Sequence, residues 1–194
     1  MALALEARAK PDDILIGDTP KAKSRRRRLK GLECSGRLWK HSRLSDIAGL
    51  AAAEPLDDYF IFTIVRDPWD RVLSLYYWLR DQTFSHVSVN RAKSLSFKKF
   101  VADAEMAEML SHDWARSYTS DANGQDRATT VLRLEHIESD LAPVEAHLGF
   151  KIRPLPHANR SGRPEDTRAA YDAESAGRVG KYFAEDIRRF GYRY

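Results

Sequence analysis

Residues 59–80, YFIFTIVRDPWDRVLSLYYWLR, pass from an unbroken apolar run into a helix signal within three positions. Tyr59 to Val65 is continuous, β-branched and aromatic, the pattern of a strand buried on both faces of a parallel sheet. Asp67 is a capping residue type, and Pro68 suits the first helical position. The spacing predicts a helix to about Leu79. A helix opening at the end of a strand presents free backbone N–H groups and a partial positive charge. Arg66 stands at that junction, which makes it a candidate anion pocket. Asp67, Arg71, Ser74 and Trp78 recur at spacings of four, three and four, so Ser74 shares that stripe of helix. The competing reading of these residues is that Arg66 pairs with a carboxylate and Ser74 faces solvent.

Flanking segments extend the strand–helix alternation. Residues 2–10 are strong helix formers with no cap before them. Residues 11–20 carry Pro11, Gly17 and Pro20 around Ile14-Leu15-Ile16, a loop around a short strand. Ser45 can cap a short helix that Pro55 closes. Residues 96–111 read as a helix starting near Ser96, and residues 129–134 (TTVLRL) as a second strand. Glu138 to Leu148 reads as a helix closed by Gly149, and Asp172 to Phe190 as a final helix closed by Gly191. The segment 153–165 is a surface loop. This alternation argues for an α/β fold with a mostly parallel sheet and flanking helices.

The chain has 194 residues, which suits one domain spanning 1–194. With 43% hydrophobic and 31% charged residues, wholesale disorder is excluded. The single cysteine, Cys34, excludes an internal disulfide framework and a multi-cysteine zinc site. No apolar run approaches the ~20 residues that span a bilayer, and Glu6, Arg8 and Lys10 break the first apolar stretch, so no signal peptide is read. A cytoplasmic location follows as an expectation. Residues 1–43 hold 12 lysines and arginines against 5 acidic residues. This local excess is densest from Lys21 to Lys30, and the run Arg25 to Arg28 within it reads as a solvated face or as a surface for an acidic polymer. No nucleic-acid recognition motif accompanies it.

Two further stretches offer chemistry. His41, beside Lys40, could serve as a general base, because an imidazole titrates near neutral pH. The bland alternative is a surface histidine. The loop from Pro156 to Arg163 joins Asn159, Arg160 and Arg163, which could close over a phosphate or simply link two elements. The remaining histidines lack ligand spacing, so no metal site is read. Trp69, Tyr76, Tyr77 and Trp78 read as core.

FTIVRDPWDRVLSLYYWL (residues 62–79) resembles the 3′-phosphate-binding segment of carbohydrate-type sulfotransferases, the sulfotransferase family 2 group. VLRLEHIESDL (131–141), PHANRSGR (156–163) and YDAESAGRVGKYFAEDIRRFGY (171–192) resemble the later strand with its acidic turn, the loop near the nucleotide and the terminal helix. The resemblance implies a P-loop-type fold and transfer of a sulfuryl group from 3′-phosphoadenosine 5′-phosphosulfate to an acceptor hydroxyl. The implied acceptor is a saccharide or glycolipid, an anionic one being compatible with the basic segment. By the same resemblance, Arg66 and Ser74 hold the 3′-phosphate, Asn159, Arg160 and Arg163 lie near the nucleotide, and His41 is the base. No metal is implied. One departure stands out: the family's opening loop, Pro-Lys-x-x-Gly-Thr-Ser, which cradles the 5′-phosphosulfate, does not occur in this chain. The expectation is a chain begun at an internal methionine and lacking its first strand. The alternative class is an inactive nucleotide-binding module, or a basic adaptor for polyanions.

Overall fold

The apolar run from Tyr59 becomes a strand only at its fourth residue: β1 spans Phe62–Val65 and lies parallel to β2, Thr130–Arg133. The computed structural model describes residues 1–50, 56–112, 114–156, 162–164 and 166–194. Ahead of β1, the Ile61 carbonyl accepts from the Thr129 and Thr130 amides (2.7 and 3.3 Å), and its amide donates to Thr129 Oγ1 (3.0 Å). Among the described residues, the sheet has these two strands. The expected burial of both strand faces is therefore corrected. Successive side chains point to opposite faces, and Ile64 is 37% exposed while Val65 is buried. Residues 14–16 form no strand.

In chain order, the helices among the described residues are α1 (Ala2–Arg8), α2 (Pro20–Arg25), α3 (Pro68–Arg80), α4 (Val87–Ser94), α5 (Phe97–Ala102), α6 (Ala104–Ser111), α7 (Ala115–Thr119), α8 (Ile137–Asp140), α9 (Ala142–Leu148), α10 (Ala173–Tyr182) and α11 (Ala184–Phe190). The chain forms two compact units. One comprises Met1–Ile64, Arg116–Leu132 and His136–Ala158; the other comprises Val65–Ala115, Arg133–Glu135 and Asn159–Tyr194.

In the first unit, Leu132, Leu141, Val144 and Ile152 form the core, with Leu5, Phe60 and Phe62 packed against it. α1 and α9 thus cover apolar residues of the sheet. α2 starts at Pro20 without a capping side chain of its own. Glu6 of α1 supplies one, accepting from the Lys21 and Ala22 amides (3.0 and 3.3 Å). Burial pushes the Glu6 carboxyl up, but hydrogen bonds from Thr19 and these amides outweigh it and hold the group below the usual carboxylate range.

The second unit is built on α3. Asp67 caps it, accepting from the Asp70 amide at 2.9 Å, with Pro68 at its first position. Trp69, Val72, Leu73, Tyr76 and Leu79 recur at helical spacing and are buried against Phe100 of α5, Val179 of α10 and Phe183. Each such side chain contributes about 1.5–3 kcal/mol by leaving water. Trp78 departs from the expected aromatic core. Two residues from Tyr76, it lies across the helix, is 39% exposed, and its ring meets that of Phe84 (6.2 Å).

Three expected helices are divided. Residues 96–111 break at Asp103, whose extended backbone lets its side chain cap α6 at the Met106 amide (3.3 Å). Residues 172–190 break at Phe183, a buried ring with non-helical backbone. The helix expected over residues 138–148 breaks between α8, which starts one residue earlier at Ile137, and α9, just before Pro143. Residues 45–50 form hydrogen-bonded turns instead of the expected helix, whose remainder lies outside the described residues.

Candidate functional site

Arg66 follows β1 directly, and the capped start of α3 fixes what surrounds it. Arg66 Nε donates to Asp70 Oδ2 at 2.5 Å. Arg163 meets the same carboxylate with both terminal nitrogens, Nη2 lying 3.1 Å from Oδ2 and Nη1 contacting Oδ1. Thr167 Oγ1 donates to Asp70 Oδ1 at 2.8 Å. Two guanidiniums and a hydroxyl therefore converge on one carboxylate at the end of a strand. The three charged side chains are each only 22–23% exposed.

A second ion pair lies beside it. Arg168 grips Asp67 through two bonds (3.2 and 2.7 Å) and lies over the rings of Trp69 (4.9 Å) and Tyr194 (4.8 Å). The planar, two-pronged guanidinium suits both tasks. The Asp67 amide donates to Glu135 Oε1 (2.6 Å), and Tyr192 OH donates to Glu135 Oε2 (3.3 Å). Behind the cluster, the Tyr171 hydroxyl donates to the Trp69 carbonyl (2.7 Å), and burial pushes that phenol far above its ordinary range.

Both guanidiniums of the cluster carry charge that their surroundings disfavour. Burial lowers the Arg66 pKa, and the nearby Arg71 charge lowers it further, against Glu135 and Asp67. Arg163 is lowered by burial and then by the neighbouring Arg66. Two half-buried cations that destabilise one another gain by sharing negative charge. Arg66 engages Asp70 through Nε alone. Among the described residues its Nη1 and Nη2 make no hydrogen bond. Ser74 lies on α3 one turn beyond Asp70 on the same face and is half-buried.

Of the expected site residues, Arg66 and Arg163 meet through Asp70, although they lie far apart in sequence. Arg66 borders a helix start and pairs with a carboxylate, the pairing that its competing reading expected. Asn159 and Arg160 lie outside the described residues. His41 belongs to the first unit, where it is exposed and its ring meets Trp39 edge-on (4.7 Å). Next to it, Asp18, Arg26, Arg37, Trp39 and Lys40 line a cleft of about 350 Å³. Asp18 pairs there with Arg26 (3.1 Å) and Lys40 (3.3 Å), and Arg37 lies over Trp39 (5.1 Å).

The arginine run is largely solvent-facing, with Arg26, Arg27 and Arg28 exposed, and it also makes contacts within the first unit. Arg25 donates to the Lys10 carbonyl (2.6 Å), Arg28 to the Pro11 carbonyl, and Arg26 to Asp18. Sequence reasoning missed Asp70, Thr167 and Arg168. The spacing of four between Arg66 and Asp70 was a usable signal for the first; nothing local marks the other two. Among the described residues no cluster of His, Cys, Asp and Glu is arranged to hold a metal ion, and no helix is long and apolar enough to cross a membrane.

The model of the Sulfotransferase family matches residues 17–193, which takes in β1, α3 and every residue of the Arg66–Asp70–Arg163 cluster. No curated protein and no solved structure matches the chain. A match over this much of the sequence, together with the half-buried arginine cluster where a strand meets a capped helix, places the chain in the sulfotransferase family.

Proposed function

We propose that this chain transfers a sulfuryl group from 3′-phosphoadenosine 5′-phosphosulfate to a hydroxyl of a saccharide or glycolipid, on a P-loop-type fold. The observation that carries this reading is the convergence of Arg66 and Arg163 at the start of α3, a half-buried site suited to a phosphate. Arg66 and Ser74 bind the 3′-phosphate, with Arg163 completing the cluster and Asn159 and Arg160 as further candidate nucleotide-binding residues. The acceptor oxygen forms a bond to sulfur as the bond from sulfur to the 5′-phosphate oxygen breaks. His41 takes the acceptor proton, and the nucleotide leaves as the 3′,5′-bisphosphate. The basic cleft beside Trp39 supports an acceptor that carries negative charge. The scheme requires no metal.

Calorimetric titration with 3′-phosphoadenosine 5′-phosphate, against 5′-AMP, tests the reading. Binding should require the 3′-phosphate and weaken at least about tenfold in Arg66→Ala, the scale of a lost charge-assisted bond. His41→Ala should retain binding and lose turnover. Equal binding of the two nucleotides, or none by the folded chain, overturns the reading.

A further inference from the structure

Asp70 sits where an arginine pocket for an anion has least apparent use for a carboxylate. Its surroundings give it a task. Its backbone is fixed in the first turn of α3, where its amide donates to Asp67 Oδ1 (2.9 Å). Its side chain has a complete set of donors. Arg163 approaches both oxygens, Thr167 donates to Oδ1 (2.8 Å), and Arg66 Nε donates to Oδ2 (2.5 Å). Arg163 also donates to the Asp70 carbonyl (3.2 Å) and lies 3.3 Å from Thr167 Oγ1. Both terminal nitrogens of Arg163 are therefore engaged on Asp70 and its neighbour. Arg66, by contrast, is held through Nε alone, and its two-pronged edge makes no hydrogen bond among the described residues.

We propose that Asp70 is a positioning residue: locked by Arg163 and Thr167, it grips Arg66 by Nε and aims the Nη1/Nη2 edge at the nucleotide's 3′-phosphate. The inference rests on the nucleotide reading above and deepens it, since it gives Arg163 a role that runs through Asp70. The physical gain is preorganisation. A free arginine side chain loses much rotamer entropy when a ligand fixes it. An arginine already held at one nitrogen has less to lose when it binds. The Asp70 carboxylate also places a counter-charge 2.5 Å from a guanidinium whose charge burial disfavours.

A double-mutant cycle in the full chain tests this, with 3′-phosphoadenosine 5′-phosphate and 5′-AMP as probes and a thermal melt of every variant. Asp70→Asn should weaken the bisphosphate about tenfold and leave 5′-AMP unchanged, and Arg163→Ala should do the same. Thr167→Val removes one of the donors on Asp70 and keeps the fold. It should cost about twofold to threefold, again only for the 3′-phosphate. Arg66→Ala combined with Asp70→Asn should bind no more weakly than Arg66→Ala alone, because residues acting through one another are not additive. Tighter binding by Asp70→Asn would mean that Asp70 competes with the phosphate, and would overturn the proposal. So would additive losses, or equal losses for both nucleotides. If the wild-type chain binds no nucleotide through a 3′-phosphate, the functional reading falls and this inference with it. Normal wild-type binding with unaffected Asp70 and Thr167 variants sinks this inference alone.

Discussion

Asp186 is a buried carboxylate of α11 whose two oxygens accept from the Ala115 amide (3.2 and 3.1 Å) at the start of α7. Burial raises its pKa, and the Ala115 bond and the Arg71 charge offset that only in part. The folded chain thus holds this proton more tightly than the unfolded chain does. The contribution to stability is complete below the ordinary carboxylate pKa and is lost as pH rises through the raised folded value. Asp186→Asn has no charge to form, so its stability relative to wild type should improve as pH goes from 3.5 to 7. Urea midpoints of the two proteins at several pH values measure this, and a constant difference would contradict it. At this scale the sequence was readable where one residue's chemistry suffices, as with the Asp67 cap. Asp186 gave no signal, because its burial depends on elements that lie 71 residues apart.

Among the elements, α3 joins stability to function. One face buries Trp69, Val72, Leu73, Tyr76 and Leu79, and its first turn carries Asp70. Leu73 is fully buried, so Leu73→Ala should destabilise by about 2–5 kcal/mol, from lost transfer energy plus a cavity. A chemical-denaturation midpoint reads this directly, and an unchanged midpoint would remove Leu73 from the core. The existence of α3 was legible from its cap, its proline and its apolar spacing. The breaks at Asp103 and Phe183 were less so. Asp103 carried a local signal, since aspartate caps helices. Phe183 carried none: an aromatic residue is tolerated in a helix, and its buried position decides the break.

Across the whole molecule, the chain passes repeatedly between its two units, and the first unit draws on three separate stretches. Its core shows the consequence. Leu5, Phe60 and Phe62 come from the first stretch, whereas Leu132, Leu141, Val144 and Ile152 come from the later two. A fragment of residues 1–64 thus lacks every fully buried member of that cluster. Produced alone, it should show no cooperative thermal transition by circular dichroism, since an isolated helix of seven residues is marginal in water. A sharp transition would mean that the stretch folds on its own.

The order of residues settled what depends on neighbours along the chain. The strand after Tyr59, the capped helix after Asp67, the left-handed closures at Gly149 and Gly191, and the arginine beside a helix start all follow from local sterics and periodicity. Folding in three dimensions settled the partnerships. It joined Arg163 and Thr167 to Asp70 across more than ninety residues, set Arg168 between two aromatic rings, and directed Arg25 and Arg28 to backbone carbonyls. The reason is physical. Helix and strand signals are written in the backbone preferences of adjacent residues, whereas a half-buried charge takes whichever counter-charge the packed chain brings within reach.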